Sequence, residues 1–321
     1  MRWLSLLAFT ALAAVVSLAA YSRQTMPEPA TITVWGESGN ESGQLYQPTG
    51  IAVSKEGTVF VADTGNDRIE AFDANGKFLW TFGHSGEGPG EFRRPMDIDL
   101  DHTGLLYVAE LGGDRVQVFT QRGDFVRIIR GEDTPAGAFD GAAGVLVSPE
   151  GEVYVADFYN DRVVVFDSEG NYQRVIGVSG RVLPGHLHYP TDLAWVDGRL
   201  VVADAYNNRI QVFTPDGEVV ARWGGFLGSG IPGSSPGSFR VATGVATDSA
   251  DHIYVADFEN HRIQVFDVEG ELLSVFGSQG GGVGEFERPT DLDMGPDGRI
   301  FVVDFGNNRI QVFENFRTVG Q

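Results

Sequence analysis

VADFENHRIQVF, residues 255–266, recurs in variant form throughout this chain. Its first nine positions reappear as VADTGNDRI (61–69), VAELGGDRV (108–116), VADFYNDRV (155–163), VADAYNNRI (202–210) and VVDFGNNRI (302–310). The acidic residues Asp63, Glu110, Asp157, Asp204, Asp257 and Asp304 follow one another at 47 residues, with one step of 53. So regular a period marks one supersecondary unit that buries its apolar face only against its neighbours. Within the first unit, GIAVS (50–54), TVFVAD (58–63), RIEAF (68–72) and KFLWTF (77–82) alternate like short strands, with tight turns at 55–57 and 74–76. Four strands per unit and six units predict an all-β, six-bladed β-propeller.

The ring must also close. After RIQVF (309–313) only ENFRTVGQ follows, without the turn that precedes a fourth strand elsewhere. The interval from Trp35 to Pro48 equals those from Phe82 to Pro95 and Phe276 to Pro289, so TITVW (31–35) is expected to complete blade six and cover two open edges.

With 44 acidic and 23 basic residues the net charge is −21, a field that repels phosphate backbones, and the only lysines are Lys55 and Lys77. Nucleic acid is therefore not an expected partner. Cysteine is absent, which excludes disulfides, thiol nucleophiles and a lipid-modified cysteine anchor. Residues 1–20 combine Arg2 with an apolar run from Trp3 to Ala20, and Ser17, Leu18 and Ala19 resemble a processing site. As a helix the run reaches roughly 27 Å, so it reads as either a signal peptide or a membrane anchor through residues 3–20. Both place the body outside the cytoplasm, periplasmic or secreted. Residues 21–30, with Pro27 and Pro29, read as a linker to a propeller over 31–321.

The pattern A-D-x-x-N-x-R-I-Q-V-F, seen at 256–266 and, with Val303 for alanine, at 303–313, resembles the NHL repeat family. The resemblance covers 31–313 and implies a propeller whose members include peptide-amidating lyases, RNA-binding proteins, sensors and scaffolds, so it does not select an activity. It also implies a comparison with the peptidyl-hydroxyglycine amidating lyases. Tyr206 stands at the loop position of their catalytic tyrosine, as Tyr159 also does, and Asp291 matches an aspartate of their central calcium site. At the positions of their zinc histidines this chain has Thr49, Met96, Ala143, Thr191, Thr243 and Thr290.

A motif present six times serves a ring better than a single catalytic centre, so the repeated Asp–Arg pairs read as joints. Function is expected where the repeats differ. The interblade connections and D-x-x-N loops share one face, the long-loop face, and there Phe158, Tyr159, Tyr206, Phe258 and Phe305 form an aromatic sector suited to a protein or peptide partner. The connection GGFLGSGIPGSSPGSFR (224–240) is expected to be mobile and able to cover that sector. The innermost strands open with Gly50, Asp97, Gly144, Asp192, Gly244 and Asp291, so Asp97, Asp192 and Asp291 would converge on the axis and favour Ca²⁺, with a water-filled acidic channel as the alternative. His186 and His188 alone are close enough to share a metal, and a third ligand is lacking. The expected function is an extracytoplasmic, non-enzymatic binding or scaffold propeller, a candidate subunit of a membrane-associated complex. The alternative is a metal-dependent lyase or lactone hydrolase.

Overall fold

The structure is a computed structural model that describes residues 26, 28–132 and 134–314. The leader at 1–20 and most of the linker lie outside the described residues. Six four-stranded antiparallel sheets stand in a ring. Blade one contains Ile51–Val53, Val59–Asp63, Arg68–Phe72 and Phe78–Phe82, and blade two Pro95–Leu100, Leu106–Glu110, Arg115–Phe119 and Phe125–Ile129. Blade three spans Ala142–Val147 to Tyr172–Ile176, blade four Pro190–Val196 to Val219–Trp223, and blade five Ala242–Thr247 to Leu272–Phe276. Blade six has Pro289–Met294, Ile300–Asp304 and Arg309–Phe313, with Thr31–Trp35 as its outermost strand.

That last pairing closes the ring as the spacing predicts. Trp35 lies opposite Ile310, Thr31 opposite Phe313, and the Glu314 N–H donates to Ala30 O at 2.9 Å. Upstream, the Met26 N–H donates to Leu273 O at 3.1 Å, so the chain reaches blade six across the outer edge of blade five. Apolar residues fill the spaces between blades rather than one centre. Phe82, Phe92 and Phe119 meet between blades one and two with ring centroids 5.2–6.3 Å apart, and Trp35 lies 4.8 Å from Phe72 across the closure. Among the described residues the only helices are three-residue 3-10 turns, and none is long and apolar enough to cross a membrane.

The repeated acidic residue and arginine pin each incoming interblade connection. Asp204, fully buried, accepts Arg209 Nε at 2.7 Å and the His188 N–H at 2.8 Å. The Arg209 guanidinium then donates to Val182 O, Leu183 O and His186 O, while Asn207 Nδ2 bridges Asp204 and Gly180 O. Blades one, three, five and six repeat this joint with Asp63, Asp157, Asp257 and Asp304. Blade two departs, with Glu110 for aspartate and Gly113 for asparagine. A Cβ at Gly113 would sit 2.6 Å from Glu110 Oε2, so the longer carboxylate occupies the space that asparagine fills elsewhere.

The 224–240 connection is held in the same way. Arg262 donates to Ser234 O, Ser235 O and Ser238 O, and Asn260 to Gly233 O. It leaves Phe226 76% and Ile231 62% exposed, and only its successor Val241 reaches the aromatic sector.

Candidate functional site

The axis is hollow at both ends and narrow between. On the long-loop face a cavity of about 660 Å³ is lined by all five aromatics singled out from the sequence: Phe158, Tyr159, Tyr206, Phe258 and Phe305. The D-x-x-N loops hold them there, because each loop is clamped by its Asp–Asn pair. Tyr159 and Tyr206 are each 50% exposed, so they are not consumed by packing beneath the connections.

Tyr189, not anticipated from the sequence, joins three of these rings, Phe158, Tyr159 and Tyr206, while Phe258 and Phe305 meet each other at 6.2 Å. It stacks on Phe158 at 4.7 Å with an interplanar angle of 15°, and meets Tyr206 edge-on at 5.1 Å and Tyr159 at 5.7 Å. His188 stacks on its other side at 4.2 Å. The cavity wall from blades one and two carries no aromatic ring: Gln47, Thr49, Thr64, Asp67 and Arg94 stand there beside Met96 and Leu111. The two halves therefore differ in chemistry as sharply as the loop sequences do.

Tyr189 owes its position to a pattern the sequence hides. Ahead of each innermost strand, directly before it in blades two to six and four residues before it in blade one, stands a residue with left-handed φ: Gln47 (50°), Arg94 (53°), Gly141 (77°), Tyr189 (54°), Val241 (60°) and Arg288 (57°). Each donates its N–H to a side chain from the preceding blade, namely Asn308, Asp67, Asp114, Asp161, Asn208 and His261 at 2.7–3.2 Å. Those six acceptors themselves have φ of 49–55°. Eleven of the thirteen non-glycine residues with positive φ among the described residues belong to these two rings. The signal present in the sequence was the residue before proline at 47, 94, 189 and 288, read there only as part of a connection.

Below the cavity the six residues at the positions of the lyase zinc histidines, Thr49, Met96, Ala143, Thr191, Thr243 and Thr290, form a neck of about 70 Å³. Hydroxyls there bridge blades: Thr49 Oγ1 donates to Met96 O at 2.7 Å and Thr191 Oγ1 to Thr243 O at 2.8 Å.

Beyond the neck, Asp97, Asp192 and Asp291 do converge, as expected, in an acidic funnel of about 200 Å³ that also contains Asp99 and Asp293. The second pair was legible as D-I-D and D-L-D at 97–99 and 291–293 but was not singled out. Each carboxylate is a staple between blades. Asp97 takes the Ile98 N–H at 2.7 Å with one oxygen and the Val145 N–H of blade three at 2.8 Å with the other. Asp192 does the same with Leu193 and Val245, and Asp291 with Leu292 and Ile51. Asp99 reaches Val147, and Asp293 reaches Val53.

Burial pushes all five carboxyls upward, most for Asp97 and Asp291, where neighbouring aspartates add to it. Asp99 rises to about 7 and Asp293 to about 6. Among the described residues no three His, Cys, Asp or Glu side chains are grouped so as to hold a metal ion. His186 and His188 likewise form no such group: His188 lies between Asp161, 3.3 Å from Nδ1, and Arg181, 2.8 Å from Nε2.

The intervening glycines have a steric cause. A Cβ on Gly50 would meet Met96 O at 2.5 Å, on Gly144 Thr191 O at 2.5 Å, and on Gly244 Asp291 Cα at 2.6 Å. Glycine lets blades one, three and five press backbone to backbone against the next blade, and aspartate bridges the alternate joints.

Fold and site together define a six-bladed β-propeller with a closed ring and a funnel-shaped axis. The chain carries NHL repeats: the NHL repeat model matches residues 139–166, 187–213, 239–266 and 286–313, and a family model described as a six-bladed β-propeller matches 40–147. The B-box type zinc finger protein ncl-1 of Caenorhabditis elegans is 48% identical over 44 residues, 14% of this chain and 5% of that protein. Protein brain tumor of Drosophila melanogaster is 44% identical over 48 residues, 15% of this chain and 5% of that protein. The chain thus spans only a small part of these relatives.

Among solved structures, a structural genomics protein of unknown function from Bacteroides thetaiotaomicron superposes with a TM-score of 0.67 at 18% identity, covering 89% of this chain and 75% of that one. The gluconolactonase of Xanthomonas campestris gives 0.63 at 14%, covering 85% and 87%. The virginiamycin B lyase of Staphylococcus aureus gives 0.58 at 17%, covering 88% and 87%. At these identities the likeness is one of fold.

Proposed function

We propose that this propeller is an extracytoplasmic binding or scaffold protein that takes a peptide or protein segment in the aromatic cavity of its long-loop face and performs no chemistry. One observation carries the reading: Tyr159 and Tyr206, half exposed, flank a Phe158–Tyr189 stack inside a cavity of about 660 Å³. Aromatic anchors in such a concavity bury a large area at small entropic cost. The repeated Asp–Arg pairs are spent on holding connections and do not face this cavity. Placement outside the cytoplasm and membrane association rest on residues 1–20 alone.

The test compares partner capture from gently solubilised membranes by the wild type and by a Tyr159→Ala, Tyr206→Ala, Phe258→Ala variant. Binding of the captured partner is expected to weaken by more than about 2 kcal/mol in the variant, with melting unchanged. A partner held equally by both overturns the assignment of the face.

The second reading, a metal-dependent lyase or lactone hydrolase using the axial carboxylates with Tyr206 or His186, is favoured by the position of Tyr206 at the mouth of the axis. Stoichiometric, tightly held zinc or another transition metal in the purified protein would support it. Calcium at Asp97, Asp192 and Asp291 is a separate proposal. It requires a melting temperature that rises with calcium and falls with chelator, and indifference to both overturns it.

A further inference from the structure

The six left-handed residues before the innermost strands are built by one device and carry six independent choices of side chain. If the ring were scaffold only, glycine would serve at every position, as it does at Gly141, because a left-handed backbone costs other residues roughly 1–2 kcal/mol each. Val241, β-branched at φ 60°, is the most demanding of them. The backbone strain is tolerated because an N–H bond from the preceding blade fixes each residue, and four of the six side chains line the cavity.

Adjacent blades pack in sequence order, so blade two faces blade five across the axis and blade one faces blade four. Arg94 therefore lies across the cavity from Val241, and Gln47 from Tyr189. The two arginines of the ring differ in state. Arg288 lies over the Phe258 ring at 5.7 Å with Glu259 at 3.5 Å. The Arg94 guanidinium makes no hydrogen bond or ion pair among the described residues, and it is the only basic side chain lining the cavity. Below it the neck narrows to about 70 Å³, so a chain can enter from this face but its end stops in the cavity.

We infer that this ring determines specificity and that the cavity takes the free C-terminal end of a peptide, its carboxylate on Arg94 and its apolar or aromatic side chain against Tyr189 and Tyr206. The inference rests on the peptide reading above and names the ligand end that the cavity selects. A guanidinium receives a carboxylate through paired hydrogen bonds, and the blade-four rings exclude water from the other end.

The test uses a synthetic library of random tetrapeptides made in two forms, one with a free C-terminal carboxylate and one amidated, screened against the full chain. The wild type is expected to retain acid-form peptides ending in aromatic or aliphatic residues about tenfold better than their amides. Arg94→Gly is expected to remove that preference while keeping or raising the melting temperature, since glycine suits the left-handed backbone. Arg94→Lys keeps part of the preference. Equal retention of both forms, lost in the Tyr159→Ala, Tyr206→Ala, Phe258→Ala variant, overturns the carboxylate subsite and leaves the peptide reading standing. A preference that persists in Arg94→Gly overturns the subsite too. Retention of neither form overturns both.

Discussion

The outer and inner joints of this ring solve the same problem with different symmetry. At the outer connections an acidic residue and an arginine recur in all six blades, each arginine donating its Nε to the carboxylate, with blade two using glutamate in place of aspartate. At the axis the joints alternate: aspartate staples fasten blades two to three, four to five and six to one, while glycine allows backbone contact at the other three. On the long-loop face the rings of left-handed backbone keep the six-fold pattern, but their side chains do not. Repetition at six marks construction, repetition at three marks a constraint on packing, and its loss marks the place where recognition can differ from blade to blade.

The comparison breaks most severely at the closure. Deleting 31–36 should abolish the cooperative thermal transition, because blade six loses its outer strand and two edges open, whereas removing 1–25 should leave the transition in place. An unchanged melting curve without 31–36 would mean that the ring does not depend on that strand. Next in size is the outer joint: Asp204→Ala should cost about 3–5 kcal/mol in denaturant unfolding, since Arg209 would remain buried without its carboxylate. A loss below 1 kcal/mol would show that the guanidinium is satisfied by the loop carbonyls alone.

At the glycine joints Gly144→Ala should cost about 1–3 kcal/mol, because the atom it meets is the backbone oxygen of Thr191 at 2.5 Å. The same change at Gly137, which has nothing within 4 Å, tests backbone conformation without that contact.

The staples sharpen the comparison through pH. Carboxyls raised in the native state bind protons there that the unfolded chain has already released, so their contribution is full below about pH 4 and is lost as pH rises through 6–7. With Asp99 near 7 and Asp293 near 6, the melting temperature should rise as pH falls from 8 to 5. Asp99→Asn with Asp293→Asn should flatten that slope, and an unaltered slope would place its origin in the other raised carboxyls, Asp97, Asp192, Asp291 and Glu70, or in the surface charge.

The smallest expected effect is a gain. Glu70 stands where blades two, four, five and six have Gln117, Gln211, Gln264 and Gln311, which donate to a loop carbonyl. Burial raises Glu70 to about 7, and it accepts the Gly43 N–H with both oxygens beside Asp63 and Arg68. Glu70→Gln should stabilise by about 1 kcal/mol at pH 8 by restoring the missing donor. Destabilisation would show that the Arg68 contact outweighs it.

The propeller and its closure were legible because the period, the strand alternation and the Trp35 to Pro48 interval are all local counts. The aromatic sector was legible for the same reason, since its residues occupy aligned loop positions. Tyr189 was not, because its neighbours in the ring are glutamine, arginine, glycine, valine and arginine, and what unites them is a dihedral angle. Asp99 and Asp293 were hidden by strand alternation, which accounts for a polar residue at every second position without calling for a site. The alternating glycines were visible, yet their reason lay in the distance to the next blade, which no single repeat contains.

The closure has one more consequence. Strand direction places Thr31 and Phe313 together at the tight-turn end of blade six, and Met26 reaches the ring beside Leu273 near that same end. Both described ends of the propeller therefore lie on the side opposite the aromatic cavity. A body fixed by either end is held like a cup on its stem, with the mouth turned away from whatever it stands on and free to meet what approaches from solution.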